Sequence, residues 1–272
     1  MTPASCLAAG LGLDELRGAT LTEVDAAAAL QHRVDRKYLV PLERARRLIG
    51  RLAGSHHVLD LGGRRTTSYL STYFDTAQLG AWRAHVQQRR RRWKVRTRLY
   101  AEDGLCRVEV KTKDGRGATV KHALKVAAAE YGELTGHAAA FVDEVLDRAR
   151  VPVTAGELSA AAEVRYVRAA LADLDHGSRI TFDGVLSCHH DGRTATLDPG
   201  HVLIETKGGA QPAPVDRMLL GMGVRPVSLS KYIVGQSLLR PGLPDNDVRR
   251  FSRAHFTTEA KPVPLPERTR AA

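Results

Sequence analysis

The feature that most constrains this chain is a two-residue alternation that makes one face of several strands cationic. Side chains at i, i+2 and i+4 share a face of an extended strand. Over Trp93–Tyr100 this puts Lys94, Arg96, Arg98 and Tyr100 on one side, with Trp93, Val95, Thr97 and Leu99 on the other. Leu105–Lys113 repeats the pattern: Arg107, Glu109, Lys111 and Lys113 face away from Val108, Val110 and Thr112. In His201–Lys207, His201, Leu203, Glu205 and Lys207 alternate with Val202, Ile204 and Thr206. Arg179, Thr181 and Asp183 share one face of Ser178–Val185. A sheet with one wet face alternates too, but solvent faces usually intersperse both signs. Here rows of Arg and Lys carry only isolated carboxylates. Two cations about 4 Å apart repel by about 1 kcal/mol even in bulk water. Cationic rows on neighbouring strands therefore predict strands folded with the rows inward, around a chain of phosphates.

At 272 residues with a net charge of +11, the chain can bury a sizeable core and attract a polyanion. Nucleic acid, acidic headgroups, nucleotides and polyphosphate all satisfy that charge. The three cysteines, Cys6, Cys106 and Cys188, imply no disulfide framework and a reducing compartment. Met1–Gly18 has no basic start and meets Asp14 and Glu15 early, so no signal peptide is expected. No run approaches the roughly 18 apolar residues of a membrane span. The expectation is a cytoplasmic protein.

Strands are expected near Arg33–Val40, Thr66–Phe74, Trp93–Tyr100, Leu105–Lys113, Ala118–Leu124, Glu163–Ala170, Ser178–Val185 and His201–Lys207. Asp103-Gly104 suits a hairpin turn. Helical spacing follows Pro41, which should sit in the first turn, and recurs over Ala138–Ala149 and Pro212–Met222. Asp75-Thr76 reads as a turn, and Ser228–Leu239 should close the fold. Residues 1–30 read as a lead-in helix or loose arm, and the Pro-rich, charged stretch from Pro241 as a tail off the core. One β-rich domain with inserted helices is expected.

No Gly-x4-Gly-Lys-Ser/Thr loop is present, so side chains must hold any phosphates. Cys188-His189-His190 lacks a second ligand pair and, beside Asp191-Gly192, reads as a solvent-facing loop rather than a zinc site. Arg89–Arg92 beside Trp93 could suit a single-stranded nucleic acid. With aromatics at 5% and no recognisable nucleic-acid motif, a solvated helix end is preferred.

Seven short motifs then occur in order: Arg33-Val-Asp35-Arg36-Lys37-Tyr38, Tyr73-Phe-Asp75-Thr, Lys94-Val-Arg96-Thr-Arg98, Glu109-Val-Lys111, Arg179-Ile-Thr-Phe-Asp183, Glu205-Thr-Lys207 and Ser230-Lys231-Tyr232. The series resembles the VTC (vacuolar transporter chaperone) domain, the catalytic module of polyphosphate polymerases among the triphosphate tunnel metalloenzymes. It covers about residues 30–240. The resemblance implies an α+β fold, an eight-stranded antiparallel β-barrel with peripheral helices, over 31–240, between an arm (1–30) and a tail (241–272).

By the same resemblance, Lys37 is the first-strand phosphate lysine, Arg96 and Arg98 the paired arginines, and Lys111 and Lys121 the tunnel lysines. Tyr166-Val-Arg168 is similar to the family's Tyr-x-Arg strand, Arg179 to the arginine after it, and Lys231 to the closing lysine. Lys94, Lys113, Lys207, Ser230 and Tyr232 complete the expected substrate contacts. Glu205 resembles the acidic residue that holds Mg²⁺ or Mn²⁺, with Glu109 and Asp35 as further candidates; for Glu109 a structural ion pair is an equal expectation. Two positions depart from relatives. Wider relatives open with Glu-x-Glu-x-Lys, where this chain has Arg33-Val-Asp35-Arg36-Lys37, and a second lysine seen before the closing one is here Ser228.

Those groups suit phosphoryl transfer, which needs positioning and neutralised charge more than covalent help. Arginine gives bidentate contacts and lysine a mobile point charge. Lys94 to Arg98 spans about 13 Å of strand, enough for successive phosphates. The implied activity is polyphosphate synthesis from ATP. Hydrolysis of tripolyphosphate or a nucleoside triphosphate is the alternative, and a non-catalytic sensor or a nucleic-acid-binding module the alternatives of another class. Expected partners are ATP or another triphosphate and inorganic polyphosphate, with no nucleic acid. Catalytic VTC domains can work beside membrane components, which adds a membrane-protein partner.

Overall fold

The computed structural model describes residues 2–27, 34–113, 119–209, 211–244 and 249–260. In chain order its strands are β1 (Gly18–Ala19), β2 (Val34–Pro41), β3 (His57–Leu59), β4 (Thr67–Thr76), β5 (Arg92–Tyr100) and β6 (Leu105–Lys113). There follow β7 (Thr119–Val126), β8 (Leu158–Asp173), β9 (Ser178–His190), β10 (Arg193–Leu197), β11 (His201–Gly208) and β12 (Phe256–Ala260). The helices are α1 (Pro3–Leu11), α2 (Leu21–Ala27), α3 (Leu42–Leu52), α4 (Gly80–Val86), α5 (Gly136–Arg148), α6 (Pro214–Gly221), α7 (Lys231–Leu239) and α8 (Arg249–His255).

Eight strands make one antiparallel path, β7-β6-β5-β4-β8-β9-β11-β2. This is the expected α+β, barrel-like wall. Among the described residues its end strands β2 and β7 do not pair, so hydrogen bonds leave a seam open there. Besides β8, the thirteen-residue β9 serves two further neighbours: Arg179–Asp183 pair with β11 and Ser187–His190 with β10. Between those halves its register against β8 shifts, and Val185 takes a positive φ of 52°. A bend of that kind re-aims a strand.

The alternation decides which face is buried. Val95, Cys106, Val108 and Val110 point outward, under Val142, Val145 and Leu146 of α5. Val40, Ile180, Phe182, Val202 and Ile204 likewise point outward, beneath Leu7 and Leu11 of α1, Leu48 and Leu52 of α3, and Leu219 of α6. The helices thus cover the convex side, and the cationic faces are left to the concave one. Each fully buried Val or Leu contributes about 1.5–3 kcal/mol, so the apolar shell outside the wall can carry a charged interior.

Buried carboxylates fasten helices to this wall. Asp216 accepts from the Tyr38 hydroxyl of β2 (2.9 Å), the Thr206 hydroxyl of β11 (2.6 Å) and the Ala213 N–H (2.8 Å), fixing α6. Asp75 accepts from the N–H groups of Ala81 (2.8 Å) and Trp82 (3.0 Å) and from the Tyr232 hydroxyl (2.6 Å), joining α4 and α7 to the end of β4. A Cβ on Gly235 would stand 2.9 Å from the Cys188 sulfur. Glycine there lets α7 lie close on β9.

Several expectations change. Pro41 ends β2 and precedes α3, because its fixed φ suits the corner as well as a first turn. Asp75-Thr76 finishes β4 rather than turning. Cys188-His189-His190 extends β9 instead of forming a loop, and β10 pairs beside it. The described N-terminal segment is no loose arm, since Leu7, Leu11 and Leu13 are buried in the core. Residues 249–260 also depart from the expected tail: β12 pairs with β10, and Phe251 and Phe256 pack near Leu229 and Val234. Arg33, Ala118, Ala28 and Ala29, and 261–272 lie outside the described residues. Among those described, no helix is long and apolar enough to cross a membrane.

Candidate functional site

The concave face encloses a cavity of about 670 Å³. Asp35, Arg36 and Lys37 of β2, Lys94, Arg96 and Arg98 of β5, and Glu109, Lys111 and Lys113 of β6 line it. Lys121 of β7, Tyr166 and Arg168 of β8, and Glu205 and Lys207 of β11 complete the strand wall. The segment entering α7 adds Ser228, Ser230 and Lys231. Register explains the convergence. Lys94 stands opposite Lys111, Arg96 opposite Glu109, Lys111 opposite Lys121, Glu205 opposite Lys37, and Lys207 opposite Asp35.

Two carboxylates neutralise part of this charge. Glu109 lies 2.5 Å from both Arg96 and Lys121 and 3.8 Å from Arg98. Burial raises its pKa, but Arg96, Arg98 and Lys121 more than offset this and hold it far below the usual carboxylate range. Asp183, fully buried, accepts from Arg168 Nε (2.6 Å) and Nη2 (2.8 Å) and from Lys231 Nζ (2.5 Å). Burial again opposes ionisation, and Arg168 and Lys231 override it. Asp183 therefore pins β8, β9 and α7 together with two cations at the cavity wall.

The tyrosines extend the arginine networks. Arg96 Nη1 donates to the Tyr73 hydroxyl (2.8 Å), and Arg98 Nη2 to that of Tyr166 (2.9 Å). The Tyr166 ring lies under the Lys231 ammonium, 4.6 Å from its centroid, and near the guanidinium of Arg168 at 5.3 Å. Such contacts fix the direction of cations that would otherwise repel.

Glu205 differs from the other cavity carboxylates. None of the ion pairs within 4.0 Å among the described residues involves it. It nonetheless sits in a cationic field: burial raises its pKa, while Lys37, Lys207, Arg168 and Lys231 bring it down to about 2. Its oxygens remain available to another cation. Among the described residues no group of three or more His, Cys, Asp or Glu side chains could hold a metal by itself. The Glu205 carboxylate is a hard oxygen donor of the kind that Mg²⁺ and Mn²⁺ take, and it is the chemistry of that one side chain that fits such an ion.

The opposite imbalance surrounds Lys94. Burial, followed by Lys111, Lys37, Arg96 and Arg92, lowers its pKa to about 7, and its ammonium donates to Ser230 Oγ (2.9 Å).

Of the residues singled out in the sequence, Lys37, Lys94, Arg96, Arg98, Lys111, Lys113, Lys121, Tyr166, Arg168, Glu205, Lys207, Ser230, Lys231, Glu109 and Asp35 meet in the cavity. Two roles are corrected. Arg179 lies at the start of β9 and donates to Val24 O and Asp25 Oδ1 (both 3.0 Å), so α2 holds it away from the cavity. Tyr232 turns behind the wall to Asp75 and stacks on Tyr73 at 5.0 Å. Glu109 is paired with Arg96 and Lys121, the structural ion pair that was the other expectation for it. Sequence reasoning missed the pinning role of Asp183, although its alternation with Arg179 marked the face. It also missed His85, Tyr73 and Arg92, which join the lining. Burial and then Lys94 and Arg92 lower the His85 pKa to about 3.

A curled antiparallel wall around a cation-lined interior defines an α+β, barrel-like fold. The chain belongs to the VTC domain family, whose model matches residues 32–240. No curated protein matches it. Among solved structures it is similar to a proposed adenylate cyclase of Bacillus halodurans, at 15% identity and a TM-score of 0.49, over 80% of this chain and 96% of the other. It is also similar to a proposed adenylyl cyclase of Hippeastrum with a dominant triphosphatase activity, at 20% identity and a TM-score of 0.48, over 79% of this chain and all of the other (100%).

Proposed function

We propose that the cavity binds a nucleoside triphosphate, ATP first among them, and transfers its terminal phosphoryl group to inorganic polyphosphate. The observation that carries this reading is the convergence of arginines and lysines from six strands and α7 around Glu205, which none of the ion pairs within 4.0 Å among the described residues involves. Arg96, Arg98 and Arg168 have planar forks suited to phosphate oxygens, already oriented by Glu109 and Asp183. Lys37, Lys111, Lys121 and Lys231 supply point charges along the same chain of phosphates. Mg²⁺ or Mn²⁺ would be held by Glu205, with Asp35 nearby on β2, and when bound would neutralise charge developing between phosphoryl groups. Catalysis then rests on in-line placement and preorganised positive charge. A cavity of about 670 Å³ suits a phosphate chain and not a nucleic-acid duplex.

A second reading, hydrolysis to free phosphate, is favoured by Ser228. It lines the cavity with a hydroxyl where a lysine would help retain an acceptor chain. The purified protein incubated with ATP and Mg²⁺ or Mn²⁺, with products resolved by length, separates these readings. Long chains support the polymerase and free phosphate alone the hydrolase. Tripolyphosphate binding without turnover supports a sensor, and no binding overturns all three.

Arg96→Ala should weaken tripolyphosphate binding by about ten- to a hundredfold, since charge-assisted hydrogen bonds are lost and Glu109 is left facing the anion. Calorimetry checks this, and wild-type affinity would contradict an inward role. Lys94 yields a pH prediction. Near pH 7 a substantial fraction is neutral in the empty cavity, and a bound polyanion favours the ammonium form. Binding should therefore take up protons around neutral pH, visible as a buffer-dependent heat. Lys94→Arg, charged throughout, should lose that uptake.

A further inference from the structure

The hydroxyls of the hydrogen-bonded tyrosines divide into two kinds. Tyr38 donates to Asp216 (2.9 Å), Tyr131 to Glu163 (3.0 Å) and Tyr232 to Asp75 (2.6 Å), so each of these protons rests on a carboxylate. Tyr73 and Tyr166 are different: the hydrogen bond found for each hydroxyl comes from an arginine. A guanidinium has donors only. It fills a lone pair on the phenol oxygen and leaves the phenol proton without an acceptor among the described residues. Both of these tyrosines line the cavity, and the other three do not.

Tyr73 is the sharper case. The residue is 7% exposed, its ring stacks on Tyr232 at 5.0 Å, and the guanidinium of Arg96 lies 5.5 Å from its centroid. Burying a phenol without an acceptor for its proton is costly. The acceptor that would relieve it must enter the cavity and must tolerate Arg96, Arg98 and Lys231 close by, which an anionic phosphoryl oxygen does.

We infer that Tyr73 is a substrate-contacting residue that donates its hydroxyl proton to a phosphoryl oxygen of the bound chain, while Arg96 holds the phenol oxygen in place. The assignment rests on the phosphate-chain reading of the cavity and adds a neutral donor to its cationic wall. The pKa of Tyr73 agrees in direction: burial raises it, but Arg96, Arg98 and Lys231 bring it below its ordinary value. A more acidic phenol is a stronger donor.

Tyr73→Phe keeps the ring and removes only the hydroxyl. By calorimetry at low ionic strength, its tripolyphosphate affinity should fall about ten- to a hundredfold, as expected for losing a hydrogen bond to a charged group. Tyr131→Phe, whose hydroxyl meets Glu163 and takes no part in the cavity lining, should stay within about twofold of wild type. A structural role exercised through Arg96 is separated by a double-mutant cycle. In an Arg96→Ala background, Tyr73→Phe should still cost about fivefold or more, and no further loss there would overturn the direct contact. Wild-type affinity in Tyr73→Phe would overturn it as well, leaving the cavity reading intact. Absence of tripolyphosphate binding by the wild-type protein would overturn both.

Discussion

Glu205→Gln should abolish turnover of ATP, by a hundredfold or more, while metal-free tripolyphosphate binds at least as tightly as to wild type. The two effects have one cause. None of the ion pairs within 4.0 Å among the described residues involves Glu205, and on the proposed reading its charge serves a cation that comes with the substrate. Losing that ligand removes stabilisation worth several kcal/mol in metal-assisted phosphoryl chemistry. Removing the charge also takes one negative group out of a field made by Lys37, Lys207, Arg168 and Lys231. Free tripolyphosphate then meets less repulsion. Unchanged turnover would refute the metal role. Weaker metal-free binding would show that Glu205 instead orders the cations around it.

Asp183→Asn should be the most destabilising of the conservative cavity changes. Asp183 is fully buried and holds Arg168 through two hydrogen bonds and Lys231 through one. Breaking a buried ion pair by removing one partner costs about 3–5 kcal/mol, because the remaining charge is left uncompensated. At about 2–4 °C per kcal/mol for a domain of comparable size, Tm should drop by roughly 10 °C. Saturating tripolyphosphate should restore part of the loss, since its oxygens neutralise the same two cations and bind only the folded chain. Scanning calorimetry with and without the anion measures both effects. A Tm within about 2 °C of wild type would contradict the pinning role.

Much of this site was legible in the chain because strand alternation is a local property. Lys94, Arg96 and Arg98 share a face whatever the fold, and an outward apolar face beneath α5 leaves them only the concave side. What was not legible depends on tertiary position. Arg179 has the right parity on β9, but α2 passes its end and Asp25 claims it. Tyr232 follows Lys231 in a helix, where the next side chain turns by about 100° and points elsewhere, so a motif that joins the two in sequence does not bring both into the cavity. Asp183 shares a face with Arg179, yet its work depends on β8 and α7 arriving on either side. Glu109 could equally have been a ligand or an ion-pair partner until the register placed it opposite Arg96 and beside Lys121. The C-terminal addition was hidden for another reason. Phe256–Ala260 is largely exposed, and its Thr-Thr-Glu-Ala run looks like a tail until β10 offers an unpaired edge.

The central claim is that the inward cationic rows bind a chain of phosphates, with a divalent cation on Glu205. The most direct measurement is a crystal structure of the protein with tripolyphosphate and Mn²⁺, using the anomalous signal of manganese to locate the ion. The account predicts phosphates in contact with Arg96, Arg98, Arg168 and Lys231, and manganese about 2 Å from a Glu205 oxygen. Phosphates bound on the outer helical face, or manganese away from Glu205 while the cavity stays empty, would contradict it.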